Sequence, residues 1–110
     1  MLFACLTNEH RVDILSLRGD LLCQAGKQGS DGAGLFKTPF MGATDSEGYA
    51  LFTDYDNYRL QVLTPQSKWH VVEMEPKVKH PGGAVLMDGI IYVAEGSKSK
   101  EGKYHLLMYK

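Results

Sequence analysis

The side chains of this 110-residue chain best placed to do chemistry fall close together. Asp54, Asn57 and Arg59 bracket a short stretch between two apolar runs. A carboxylate and a guanidinium placed this way can pair with each other and satisfy the backbone groups of a loop. Asn57 tolerates left-handed geometry and suits a turn for the same local reason. The spacing therefore predicts a structural turn, not a catalytic group. Tyr55, Asp56 and Tyr58 lie in the same stretch, and Lys68 and Trp69 follow beside His70. Aromatic and cationic side chains on loops can hold a peptide or stack a single-stranded base. Tyr55, Asp56, Tyr58, Lys68 and Trp69 are thus the candidate partner-binding residues. For Trp69 the competing expectation is packing in the interior.

Other constellations point away from catalysis. Gly26-Lys27 sits in a glycine-rich run, Ala25–Gly34, but Gln28 follows where a P-loop needs Ser or Thr, and no helix follows. That run reads as a crossover loop. His10, His70, His80 and His105 show none of the close spacings of zinc sites. No serine forms a G-x-S-x-G elbow or a hydrolytic triad pattern. Cys5 and Cys23 fit no CxxC or zinc pattern. They fall on strands separated by a third, so two spacings of ~4.8 Å set their backbones about 9–10 Å apart. A disulfide needs Cα atoms within about 7 Å, so free thiols are expected. No metal and no cofactor is implied.

Composition narrows the class further. Apolar residues make up 44% and charged residues 23%, an ordinary globular balance. The formal net charge is −1, which excludes a chain that coats nucleic acid by bulk charge. The sign is uneven. Residues 1–67 hold eight acidic and five basic side chains, and residues 68–110 hold five and seven. Lys68, Trp69, Lys77, Lys79 and His80 are the candidates for a basic, aromatic face toward single-stranded RNA. The apolar run Met1–Leu6 is short and lacks a basic start, so no secretory leader is expected. No apolar run approaches the ~20 residues that span a bilayer. Reduced cysteines without a leader predict a cytoplasmic setting and no membrane association.

The elements that must position these residues repeat along the chain. Arg11 and Arg59 stand 48 positions apart (59 − 11), and the same shift pairs Val12 with Leu60 and Ile14 with Val62. Gly48 and Gly89 stand 41 apart (89 − 48), and that shift pairs Gly42 with Gly83 and Asp54 with Glu95. A period of roughly 40–50 residues with insertions confined to turns is the spacing of propeller blades. Apolar residues alternate around Val12 and Leu60, while Ala50–Thr53 and Ile90–Ala94 are continuous apolar runs of strands covered on both faces. Ser46-Glu-Gly and Met87-Asp-Gly read as hairpin turns. The middle unit reads as four strands, near 40–45, 49–54, 58–64 and 68–74. No helix is expected. The fold class is all-β, with antiparallel four-stranded blades: a partial blade over 1–30, a complete one over 31–75 and a partial one over 76–110.

The run from Gly32 to Leu63 resembles an NHL repeat. Phe36, Pro39, Gly42, Asp45, Gly48, Asp54, Asn57, Arg59, Leu60 and Val62 fall on that family's pattern. The first unit keeps His10-Arg11-Val12 but has Leu6 where the second has Asp54, and the third keeps Pro81, Gly83, Asp88 and Gly89. The resemblance covers about two and a third blades of a propeller that usually closes with about six. Among such proteins the style is most similar to the C-terminal NHL domain of tripartite-motif ubiquitin ligases. That resemblance implies a non-catalytic module that recruits a protein partner, any ligase activity residing in a RING domain absent here. Its alternatives are single-stranded RNA binding and a fragment of a metal-dependent propeller hydrolase or lyase. Open blade faces also predict self-association.

Overall fold

The computed structural model describes residues 2–72, 74, 77–95 and, for the backbone alone, 105–109. Its regular elements are β-strands and two single turns of 3₁₀ helix, Thr7–Glu9 and Tyr55–Asn57. The strands are β1 (Leu2–Leu6), β2 (Arg11–Leu15), β3 (Leu21–Gln28), β4 (Leu35–Phe36), β5 (Pro39–Thr44), β6 (Ala50–Asp54), β7 (Arg59–Leu63), β8 (Trp69–Val72), β9 (Pro81–Met87), β10 (Ile90–Glu95) and β11 (His105–Tyr109). No helix among the described residues is long and apolar enough to cross a membrane.

These strands form three sheets ordered β1-β2-β3-β4, β5-β6-β7-β8 and β9-β10-β11. Within the second sheet every neighbouring pair is antiparallel. The arrangement is a partial propeller of three blades, here blades 1, 2 and 3: the middle one has four antiparallel strands, the first has three antiparallel strands with the two-residue β4 added parallel to β3, and the third has three strands among the described residues. The middle strands lie within a residue or two of where the periodicity puts them. Ala25–Gly34 differs. β3 runs on through Gln28, because Ala25 packs on the apolar core and Val12 pairs with Gly26 across the ladder. The crossover is therefore confined to Gly29–Gly34, and Leu35–Phe36 returns parallel to the end of β3.

Residue type explains the layering. Successive side chains of a strand point to opposite faces. In β6 all five residues are buried, because blade 1 covers one face and blade 3 the other. Ala50, Phe52 and Leu63 join Val12, Ile14 and Phe36 in the core between blades 1 and 2, with Phe3, Cys5, Ala25, Met41 and Trp69 packed against it. Leu51 and Leu60 point the other way and join Val78, Ala84 and Val93 between blades 2 and 3. Pro39 and Pro81 open β5 and β9, the inner edge strands, where no ladder N–H is needed. Gly48 and Gly89 take positive φ in the hairpins that follow β5 and β9, and Asp45 accepts the amides of Glu47 and Tyr49 to close the first of these turns.

Phe52 is the centre of the first core. Its fully buried ring meets Phe3 at 5.7 Å, Trp69 at 5.4 Å and Phe36 at 6.2 Å between centroids. Phe52→Ala is expected to cost about 3–5 kcal/mol in urea unfolding. Leu17→Ala, at a side chain 79% exposed, should change stability by no more than about 0.5 kcal/mol.

Candidate binding face

Asp54 ends β6, and its carboxylate has no solvent exposure. Four donors converge on it. Oδ1 accepts the Lys37 amide at 2.8 Å. Oδ2 accepts Arg59 Nε at 2.8 Å, Asn57 Nδ2 at 2.9 Å and Gln61 Nε2 at 3.1 Å. A buried carboxylate is tolerated only when paired and saturated in this way. The same donors reach the crossover from blade 1. Arg59 also donates to the carbonyls of Gly32 and Leu35, and Asn57 to that of Gly29. Gln61 donates to Leu35 O and accepts the Gly34 amide at 2.8 Å. Gly34 has φ +82°, and a Cβ there would lie 2.8 Å from Trp69 Cδ1, so only glycine lets the crossover lie this close. Asp54, Asn57 and Arg59 thus form a clamp on backbone, and none offers a free reactive group.

Gln61 belongs to this clamp although its amide has no charge or motif to mark it. The usable signal is its place on β7: it alternates with Leu60 and shares a face with Leu63, so it points into the joint with blade 1 and must be bonded there.

Beyond the clamp, a polar chain crosses the end of the sheets where the 3₁₀ turns and crossovers meet. His10, in left-handed geometry after the first 3₁₀ turn, accepts the Thr38 amide on Nδ1 at 2.9 Å. The Thr38 hydroxyl donates to Asp56 Oδ2 in a short contact. Asp56 Oδ1 lies 3.8 Å from His80 Nδ1, a buried nitrogen that makes no hydrogen bond among the described residues. The His80 ring sits 4.7 Å from the Tyr55 ring and 4.6 Å from the Tyr58 ring. Tyr55 packs its other side on Phe40 at 5.8 Å. Tyr58 holds φ 55° and remains 40% exposed.

Two grooves open beside Tyr58. One, of about 440 Å³, is lined by Ser30, Asn57, Arg59, Met74 and Lys77 among others. The second, of about 310 Å³, is lined by Tyr58, Lys77, Val78, Lys79 and His80. This end of the molecule therefore joins Tyr55, Asp56 and Tyr58 to two lysines and a histidine from the crossover between blades 2 and 3.

Lys68 and Trp69 are not part of that face. The turn Thr64–Lys68 joins β7 to β8 at the opposite end of the sheet from Tyr55–Tyr58, and Lys68 closes it through Thr64. Trp69 lies in the joint between blades 1 and 2, its ring 5.0 Å from Phe36 and its indole N–H donated to Ala25 O at 2.6 Å. The expected basic face of Lys68, Trp69, Lys77, Lys79 and His80 is thus divided between two ends and an interior. Among the described residues no three His, Cys, Asp or Glu side chains gather as a metal site. Cys5 and Cys23 are both free thiols, on β1 and β3 with β2 between them.

No family model matches the chain, and no curated protein matches it. Among solved structures, a streptogramin B lyase superposes with a TM-score of 0.67 at 16% sequence identity. The match covers 94% of this chain and 35% of the lyase chain, so this chain spans about a third of that protein's length. The likeness establishes a β-propeller fold and carries no activity with it.

Removing the carboxylate in Asp54→Ala leaves Arg59, Asn57, Gln61 and the Lys37 amide without their shared acceptor. It should cost about 3–5 kcal/mol in chemical unfolding and speed amide exchange at Lys37. The cysteines give an independent reading of the same joint. Burial raises the Cys5 thiol from 9.0 to about 11, while Cys23 is exposed. Iodoacetamide near pH 8 should alkylate Cys23 and leave Cys5 intact until the protein is denatured. Because the folded thiol holds its proton more tightly than the unfolded one, stability should fall as pH rises from about 9 toward 11. Cys5→Ala should remove that slope.

Proposed function

We propose that this propeller segment is a non-catalytic interaction module that recruits a protein partner, in the manner of the substrate-recognition propellers of tripartite-motif ubiquitin ligases. The observation that carries the reading is the rigid presentation of Tyr58. Its backbone is held in a left-handed cap and its ring is braced edge-on by His80, yet the side chain stays exposed between two grooves. A tyrosine fixed in this way loses little conformational freedom on binding, which is why tyrosines dominate interface energetics.

The charge around it narrows the partner. Lys77 and Lys79 stand at the groove rims, and neither forms an ion pair with a described residue. Asp54 and Arg59 neutralise each other beneath. A peptide segment carrying carboxylates beside an apolar or aromatic anchor matches this surface by charge and shape. The division of Lys68 and Trp69 from Lys77, Lys79 and His80 weighs against the RNA alternative, because stacking platforms for single strands need aromatic and basic groups on one continuous groove.

Tagged protein should retain a specific protein partner that is lost on Tyr58→Ala combined with Lys77→Glu and Lys79→Glu. Lys68→Glu, at the opposite end, should leave it bound. Quantitative affinity purification reads both variants, with circular dichroism to show that each remains folded. Retention of the same partners by the triple variant would sink the proposal. So would partners that disappear on ribonuclease treatment with a steep salt dependence, which would instead mark a nucleic-acid reader.

A further inference from the structure

We propose that the turn Ser16–Asp20 docks on a protein surface that holds a divalent cation, with an open coordination position, beside a carboxylate. Asp20 completes the coordination of that cation, and Arg18 pairs with the carboxylate. This rests neither on the recruitment reading nor on a cytoplasmic setting, and it uses a different surface.

The turn is built so that its backbone is occupied and its charged side chains are not. Ser16 closes the chain between β2 and β3. Its hydroxyl accepts the amides of Arg18 and Asp20 at 3.2 and 3.1 Å. Its amide donates to the Asp20 carbonyl and its carbonyl accepts the Gly19 amide, both at 2.9 Å. Gly19 takes φ +89°, and a Cβ there would meet nothing within 4 Å, so the tip stands clear of the molecule. Arg18, Gly19 and Asp20 are all exposed. Neither the Arg18 guanidinium nor the Asp20 carboxylate makes a hydrogen bond or ion pair with a described residue.

That exposure belongs to the turn itself. The 48-residue shift between blades 1 and 2 sets Ser16-Leu17-Arg18-Gly19-Asp20 on Thr64-Pro65-Gln66-Ser67-Lys68. The second turn repeats three of the bonds of the first. Thr64 N–H donates to Lys68 O, Ser67 N–H to Thr64 O, and Lys68 N–H to Thr64 Oγ1. Ser67 holds φ 64° where Gly19 holds 89°. Blade 2 packs on a blade at each side, yet Gln66, Ser67 and Lys68 remain exposed. Neighbouring blades therefore leave this part of the turn free. The shared architecture needs a hydroxyl at the first position and left-handed backbone at the fourth. It does not call for arginine and aspartate at the tip.

Opposite charges on either side of one glycine select a partner bearing the inverse pair. Exposed ion pairs between side chains contribute little, so two of them could not hold a partner on so small a tip. A bound divalent cation is a much larger local charge, and hard cations of this kind take carboxylate oxygens. Arg18 adds a forked, directional pair with a carboxylate. Because the turn is already rigid, docking costs it little conformational freedom.

The probe is a panel of integrin ectodomains that bind Arg-Gly-Asp peptides through a divalent cation and an acidic pocket. They should bind the immobilised 110-residue protein in manganese buffer and release it in EDTA, and a linear Arg-Gly-Asp peptide should compete. Asp20→Glu keeps the charge but moves the carboxylate outward by one methylene. Binding should be lost, with circular dichroism unchanged. In that background, Gln66→Arg, Ser67→Gly and Lys68→Asp together rebuild the tripeptide on the matching turn of blade 2 and should restore binding. The Tyr58, Lys77 and Lys79 variant should bind as the parent does, which separates this proposal from the recruitment reading. Absence of binding by every ectodomain overturns the proposal. So does binding that survives EDTA or Asp20→Glu, or a rebuilt turn that restores none.

Discussion

A single buried carboxylate holds blades 1 and 2 in register. Asp54 has lost all its water, and it is tolerated because Arg59, Asn57, Gln61 and the Lys37 amide surround it with donors. The three side-chain donors are bifunctional. Arg59 Nη2, and the same Asn57 and Gln61 amide nitrogens that reach Asp54, also donate to carbonyls of the crossover Gly29–Leu35. Apolar packing between sheets is strong and poorly directional, so two flat faces could slide past each other. A saturated polar network is worth little as net energy but is exacting about geometry. The aromatic group of Phe36, Phe52 and Trp69 supplies the cohesion, and the Asp54 clamp decides the position in which it is exercised.

The other two blades carry their buried acids at different positions. Blade 2 places its acid on the second strand at Asp54. Blade 1 has Leu6 there and moves the carboxylate one strand outward to Asp13, keeping Arg11 as its cation. Blade 3 uses Glu95, buried and paired with Pro81 across its ladder. At the rim, His10, Thr38, Asp56 and His80 bring blade 1, both crossovers and blade 2 into one polar chain. Tyr55 and Tyr58 are braced against its last member. The candidate binding face is thus a by-product of the way the blades are tied together, which is why its aromatic side chains are held rigidly on loops.

Much of this was legible from residue order. The four strands of the middle blade, the hairpins at Gly48 and Gly89, and the turn between Asp54 and Arg59 are set by apolar alternation, by glycine at positive φ and by charges a few residues apart. All are interactions that a short stretch of chain makes with itself. The relation of one sheet to the next was not legible. Trp69 reads equally well as a loop aromatic or a core residue until the crossover at Gly34 is seen to lie against its ring. Gln61 looks like the polar member of a half-exposed strand until blade 1 covers it.

The sequence by itself therefore determined the blade, its strands and the residues of its turn, because those depend on periodicity and local geometry. The tertiary structure alone decided which side chains face one another across a joint. It set His80, Lys77 and Lys79 beside Tyr58, and sent Lys68 to the far end and Trp69 to the interior. Those outcomes turn on contacts between residues 20 to 50 positions apart, where a glycine-rich crossover must first be folded back, and no local pattern encodes the path it takes.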